Sequence, residues 1–360
     1  MKRKKKIINS SYRSFLYSFV SGLFLISFFF TAPFISEYKK NKLVVSAEIQ
    51  NNSKIDFEKV FSKENLKKLE DTDESTDVGL NTDYILDDIY KKDQPEEDTI
   101  RFTAKEIENS FKENNYSLLN VRRTKLVPPI PLDHLPEEMK IINNSKKRKN
   151  LFIRIVLPLV LKENSLILSD RINLFKILNK SGNSAAEKKW LNKKFKQYGV
   201  LNKDLLTLKI RMDVIPVSLA IAQAAKETGW GKSRFALEGN ALFGQWTWSG
   251  EGIKPAGADN DATHKVMNFN ELILSVRAYQ RNLNTHSSYK DFRMVRAVLR
   301  DNKKKLNSLI LADYLDKYAE TGKEYTKVLK KIIEQNNLRD FDDAKLMPTS
   351  SELNELINFS

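Results

Sequence analysis

The residue of this chain on which chemistry is most readily built is Glu227. It lies in AQAAKETGWGKSRFA, at the end of an alanine-rich run in which Lys226 is the only other charge. A carboxylate at the C-terminal end of a helix stands against the negative pole of the macrodipole. Trp230, with Gly229 and Gly231 leaving room beside it, adds apolar surroundings. Both effects disfavour the ionised form and raise the pKa. A carboxylic acid that keeps its proton near neutral pH is what general acid catalysis requires. An arbitrary helix-end glutamate is usually just solvated; these neighbours weigh against that reading.

Such an acid needs a rigid element to hold it, and the spacing predicts one. Pro216 suits the first position of a helix, where its missing N–H is not needed, and Gly229 suits the left-handed C-terminal position. Between them lie Leu219, Ala220, Ile221, Ala222, Ala224 and Ala225. A helix apolar on every face is a buried one. After Phe243-Gly244 the texture changes to QWTWSGEGIKPAGADNDATHKVMNF, whose glycines, aromatics and short THKVMNF run predict a small β-hairpin lobe. If Trp246 and Trp248 lie on one strand, they point to the same face.

Helical periodicity surrounds this centre. Leu151, Ile155, Leu159 and Val160 fall on one stripe, with Phe152 and Val156 beside it. The apolar run from Ile153 to Leu161 is too short for a membrane span and carries Arg154 and then Lys162, so it reads as a buried helix kinked or broken at Pro158. Further helices are predicted at 190–200, 205–212, 271–284, 307–319 and 324–335.

The N-terminal third is of another kind. Residues 1–13 are basic, and about 22 uncharged, mostly apolar residues from Ser14 to Ile35 can span a bilayer. The positive cluster places the N-terminus in the cytoplasm. An uncleaved signal anchor over 14–36 is favoured over a cleaved signal peptide. Pro33 follows the plausible Thr31-Ala32 cleavage end, and Val45-Ser46-Ala47 lies far beyond the apolar core. Residues 37–120 form an acidic low-complexity linker, which Val127-Pro-Pro-Ile-Pro131 helps to bound. A folded domain over 121–345 and a tail over 346–360 complete the chain.

The net charge of +15 lies in the first 47 residues and in the part after residue 113, on either side of an acidic 48–113, and the basic catalytic part suits an anionic polymer. No arginine-rich helix, zinc-finger spacing or RNP-like motif favours nucleic acid. There is no cysteine, so disulfides, thiolate metal sites and a cysteine nucleophile are excluded. His134, His264 and His286 are widely spaced and form no ligand pair, so no metal site is expected. No phosphate-cradling glycine loop or Gly-x-Ser-x-Gly elbow appears, and no cofactor is implied.

AQAAKETGWGKSRFA followed by GNALFGQW resembles the bacterial peptidoglycan β-N-acetylglucosaminidases of glycoside hydrolase family 73, related to the flagellar glucosaminidase domain. In that family the glutamate of an A-x-E-S/T-G-W-G motif is the catalytic acid. The Bax-like subgroup of envelope proteins is the most similar, through the segment KRKNLFIRIVLPLVL and through RAYQRNLNTHSSYKDFR and DYLDKYAETGKEYTKVLKKIIEQNNL. The resemblance covers about residues 125–340. It implies a mainly α, lysozyme-like helical domain with a small β lobe. Taken with the apolar span at 14–36, it places a catalytic domain on the periplasmic side of a single-pass inner-membrane protein, with peptidoglycan strands and the inner membrane as expected partners.

Glycoside hydrolysis commonly uses two carboxyl groups. The partner of Glu227 is open among Asp259, Asp261 and Glu251, with Glu238 nearest in sequence. The flagellar relatives carry a second glutamate in the β lobe, where this chain has Lys265 and Val266 after His264. A 2-acetamido group of the substrate can act instead. By resemblance, Tyr318 of YAETGKEY is the active-site tyrosine and Tyr325 the weaker choice. Trp230, Asn240, Phe243, Gly244 and Trp246 are read as substrate-binding, Asn240 equally as a structural tie; Phe243, Trp246 and Trp248 serve either the core or stacking on sugar rings. The function so implied is an anchored hydrolase cutting the β-1,4 bond after N-acetylglucosamine. The alternatives are a muramidase, a lytic transglycosylase or a wall-binding scaffold without turnover.

Overall fold

The structure, a computed structural model, describes residues 89, 101–247, 252–254, 265–302 and 304–348. The basic segment 1–13, the apolar span at 14–36, Glu251, Asp259, Asp261, Trp248 and His264 lie outside the described residues. Helix α1 (Ala104–Glu113) falls where the sequence predicts linker. Its start is fixed by a reciprocal capping box: the Thr103 hydroxyl accepts from the Glu106 N–H, and the Glu106 carboxylate accepts from the Thr103 N–H at 2.8 Å. Ile107 and Phe111, four residues apart, are buried in the main core. Ile89 is buried too, against Met267 and Phe269. The acidic linker therefore does not run unbroken to 120. Its average composition hides a capped helix with one apolar face.

The proline run is likewise internal to the domain. After α2 (Leu118–Thr124) comes β1 (Leu126–Val127), where Val127 is fully buried and pairs in parallel with the distant Lys345–Leu346.

Helix α3 (Ser145–Leu178) passes through Pro158 without a break. Proline removes one hydrogen bond, leaving the carbonyl of Arg154, four residues back, without its usual donor. The hydroxyl of the buried Tyr116 donates to that carbonyl at 2.9 Å. A side chain thus replaces the missing N–H, and the expected break does not occur. Tyr116→Phe should cost about 1–3 kcal/mol, the desolvation cost of an unpaired buried polar group. Urea unfolding checks this, and an unchanged midpoint would refute the account.

The far half of α3 joins α4 (Ala185–Gln197) and α5 (Leu205–Arg211) around Leu174, Ile177, Leu191, Phe195, Leu208 and Met212. Its near half packs on α6 (Val217–Thr228), the helix that carries Glu227. The chain then forms α7 (Arg234–Glu238), β2 (Trp246–Thr247), β3 (Gly252–Ile253), β4 (Lys265–Met267), α8 (Leu272–Thr285), α9 (Lys290–Asp301), α10 (Ser308–Ala312), α11 (Lys323–Gln335) and β5 (Lys345–Leu346). The predicted helix over 307–319 is thus interrupted. It gives α10 and then a 3-10 turn, Asp316–Tyr318, that ends on Tyr318.

Ten of the twelve residues of α6 are buried, and its alanines let α3, α10 and α11 approach closely. Pro216 is the N-cap of this helix and supplies no side-chain cap. Asp342 does so from across the fold, accepting from the Ser218 N–H and hydroxyl at 2.8 Å each. Asn164 of α3 bonds both backbone groups of Ile215 just ahead. The β lobe is a three-stranded antiparallel sheet in the order β2-β4-β3. Its central strand comes from the THKVMNF run, with Val266 opposite both Trp246 and Ile253. The described fold is mainly helical with few strands. Among the described residues no helix is long and apolar enough to cross a membrane.

Candidate active site

The end of α6 is built by three consecutive residues with positive φ: Gly229 at 57°, Trp230 at 62° and Gly231 at 81°. Gly229 meets no obstruction and is needed for its backbone conformation alone. Gly231 answers to a second constraint, because a Cβ there would lie 2.8 Å from the Met139 methyl and 3.1 Å from the Phe152 ring. Trp230 can carry a side chain because its ring has somewhere to go. It packs edge-on against Phe152 of α3 at 5.9 Å, with the Lys149 ammonium 4.8 Å above it.

Glu227, next to last in α6, is half-buried. Its Oε1 accepts from the Tyr325 hydroxyl of α11 at 2.9 Å. Its Oε2 is the atom nearest Gly244, 3.4 Å from where a Cβ would stand. Gly244, at φ 61°, therefore lets the backbone cross close to the carboxyl. Burial raises the pKa of Glu227, and the Tyr325 hydrogen bond and the Lys226 charge only partly oppose it. Trp230, expected from the sequence to dry this carboxyl, packs on Phe152. The groups whose ionisation couples to the carboxyl are instead Tyr279, Tyr289, Tyr318 and Tyr325.

Tyr289, Tyr318 and Tyr325 form one wall. Tyr318 and Tyr325 stack at 5.5 Å with a 9° interplanar angle, and Tyr289 lies 5.9 Å from Tyr318. The Tyr318 hydroxyl donates to the Phe243 carbonyl at 2.9 Å, which ties the 3-10 turn to the loop after α7. Tyr325, ranked second from the sequence, is thus the tyrosine whose hydroxyl touches Glu227. Tyr289 and Tyr325 are both held far from ionising: burial, with the Glu227 charge adding, pushes Tyr289 up to about 12 and Tyr325 higher still. Both remain hydrogen-bond donors throughout the working pH range.

Two residues read as substrate-binding are turned inward. Phe243 is buried and stacks on Tyr279 with ring centres 3.8 Å apart. Asn240 is buried at φ 51°, and its amide donates to the Phe269 and Asn270 carbonyls and pairs with His134. It fastens the loop to the lead-in of α8. Trp246, in contrast, is nearly half exposed on the edge strand β2. Glu238 is an exposed residue paired with Arg234, not a buried partner for Glu227. Among the described residues no group of histidines and carboxylates has the makings of a metal site.

Gln223 and Tyr279 do not stand out in the sequence as site residues. Gln223 lies one helical turn before Glu227 and is fully buried, the one long polar side chain inside an otherwise small and apolar stretch. Its oxygen accepts from the Tyr279 hydroxyl at 2.7 Å, and its nitrogen donates to the Tyr325 hydroxyl at 3.2 Å. The i,i+4 spacing to Glu227 was the available signal.

The chain has relatives among known proteins. The family described as Mannosyl-glycoprotein endo-beta-N-acetylglucosaminidase (Glucosaminidase) matches residues 202–338, which span α6, the β lobe and the tyrosine wall. Protein bax of Escherichia coli (strain K12) is 32% identical over 195 residues, covering 52% of this chain and 70% of that protein. No solved structure matches the chain.

Proposed function

Because this chain belongs to the Bax-like family of glucosaminidase-domain proteins and is a glycoside hydrolase of the endo-β-N-acetylglucosaminidase type, we propose that it cuts bacterial peptidoglycan after N-acetylglucosamine, with Glu227 as general acid. The observation that carries the assignment is a half-buried carboxyl with a raised pKa, one oxygen held by Tyr325 and the other beside Gly244. In the first step Glu227 gives its proton to the leaving O4 as the C1–O4 bond breaks. The carbonyl oxygen of the substrate's own 2-acetamido group forms the new bond to C1. Water then opens that ring, and the Glu227 carboxylate takes the proton of the attacking water. Tyr318, the one tyrosine of the wall that is not buried, and the exposed Trp246 offer sugar rings apolar faces to stack on. This substrate-assisted reading needs no second carboxylate, and it fits a chain in which the described alternative, Glu238, is a solvated ion pair.

The basic residues 1–13 and the apolar stretch at 14–36 support a single-pass inner-membrane anchor that holds the domain in the periplasm. Mass spectrometry of fragments released from reduced sacculi tests the bond. Reducing-end N-acetylglucosamine is expected. Reducing-end N-acetylmuramic acid would make the enzyme a muramidase, and an anhydro end a lytic transglycosylase. Wall binding with no release would make it a scaffold.

A further inference from the structure

We propose that Gln223 is a positioning residue that decides which oxygen of Glu227 carries the catalytic proton. The inference rests on the reading of Glu227 as general acid.

The chain of hydrogen bonds has a direction. Tyr279 is fully buried, and the Gln223 oxygen is the one acceptor of its hydroxyl proton among the described residues. With the Gln223 amide reversed, that proton would face an NH₂ group and the buried hydroxyl would have no acceptor, at a cost of about 1–3 kcal/mol. The amide is therefore held with its oxygen toward Tyr279 and its nitrogen toward Tyr325. An amide nitrogen only donates. Tyr325 must accept from it, and a phenol has a single proton to give. That proton goes to Glu227 Oε1.

Glu227 Oε1 is thus always an acceptor, and the carboxylic acid must carry its proton on Oε2. Oε2 has no hydrogen-bond partner among the described residues and faces Gly244, where no side chain intervenes. The relay keeps the proton off the oxygen that points into the protein, where it would be wasted on Tyr325. It also sets the acid's strength, since a hydrogen bond donated to a carboxylate favours the ionised form. Burial raises the pKa and the Tyr325 bond lowers it, with Lys226 acting in the same sense as Tyr325. The other ionisable groups coupled to Glu227 are Tyr279 on α8, Tyr289 just before α9 and Tyr318 on the 3-10 turn.

Gln223→Met keeps the volume and removes the amide. Tyr325 is then free to turn away from Glu227 or to accept its proton. The full-length protein acting on sacculi should show a plateau kcat about tenfold lower with KM unchanged, equivalent to about 1.4 kcal/mol. The basic limb of its kcat profile should move up by about one pH unit, because the donor that favoured the carboxylate is lost. Tyr325→Phe should move the limb by the same amount, and the double variant no further than either single one. Tyr279→Phe, which keeps the ring stacked on Phe243, frees the amide to reverse and should shift the limb in the same direction but less; it stands in if Gln223→Met does not fold. A uniform loss of kcat with the basic limb unmoved in both variants would overturn the proposal, as would shifts that simply add in the double variant. Full activity in Glu227→Gln would instead remove the acid assignment beneath it, so the two failures are distinguishable.

Discussion

Replacing Glu227 by glutamine should reduce turnover of purified peptidoglycan by about 10²–10⁴, the usual contribution of a positioned general acid. The substitution keeps the shape of the side chain and keeps an oxygen for the Tyr325 hydroxyl to bond. What it removes is the proton for the leaving oxygen. Folding should survive and improve slightly at neutral pH. The folded-state pKa of Glu227 is raised, chiefly by burial. Its contribution to stability is therefore full below the ordinary glutamate pKa and is lost as pH rises through the higher folded value. Near neutrality the wild type carries that penalty and the amide does not. The same shift fixes the pH dependence of the reaction: the acid form persists above the ordinary glutamate range and activity falls as pH rises through the raised value. Hydrolysis of sacculi by matched, folded proteins is the measurement, and an undiminished rate in the variant would remove Glu227 from the mechanism.

Much of this site was visible in the residues, for reasons that can be stated one at a time. Glu227 was visible because a charge at the end of an all-apolar helix is anomalous, and Gly229 because helix ends need a left-handed residue. The β lobe was visible in its punctuation, though the strand order was not. Pairing β2 and β3 on either side of β4 is a matter of tertiary contact. Phe243 and Asn240 stayed open between ligand and core because an aromatic or an amide near a motif looks the same in sequence in either role. The stacked Tyr279 and the carbonyls of Phe269 and Asn270 decide that. Tyr318 and Tyr325 lie seven residues apart and share a stack, so only the structure shows which hydroxyl reaches the carboxylate. The continuity of α3 was illegible because the group that replaces the missing N–H, Tyr116, lies 42 positions before Pro158 and outside its helix.

Nothing in the sequence marked Asp213, yet its replacement by asparagine should be the most destabilising single change considered. Asp213 is buried where α5 gives way to α6, and three arginines converge on it. Arg300 binds it through two nitrogens at 3.0 and 3.1 Å, the fully buried Arg296 lies 3.9 Å away, and Arg171 lies 4.0 Å away. Arg296 also bonds the carbonyls of Ile210, Asp213 and Val214, and Arg171 that of Met212. The arginines therefore hold the segment that feeds the catalytic helix, and Asp213 is the anion that lets them stay there. Breaking a buried pair by removing one partner typically costs about 3–5 kcal/mol, because the remaining charge is left without compensation. Urea unfolding at neutral pH should show a loss of that order.

The pH dependence gives an independent sign. Burial alone would raise the pKa of Asp213, but Arg171, Arg300 and Arg296 together hold it well below the usual carboxylate range. With a depressed folded value, its stabilisation is present above the ordinary aspartate pKa and is lost as pH falls toward the folded value. Wild type should therefore lose this share of its stability in strong acid, and the asparagine variant should show a flatter acid limb. Asp213 is also well separated from the chemistry. At about 1.5 Å per residue, the twelve residues of α6 put roughly 18 Å between the two ends of that helix. Removing the charge should leave the basic limb of kcat where it is, in the protein that remains folded. A neutral-pH stability equal to that of wild type would show that the arginines are satisfied by the carbonyls alone and that Asp213 is dispensable to them.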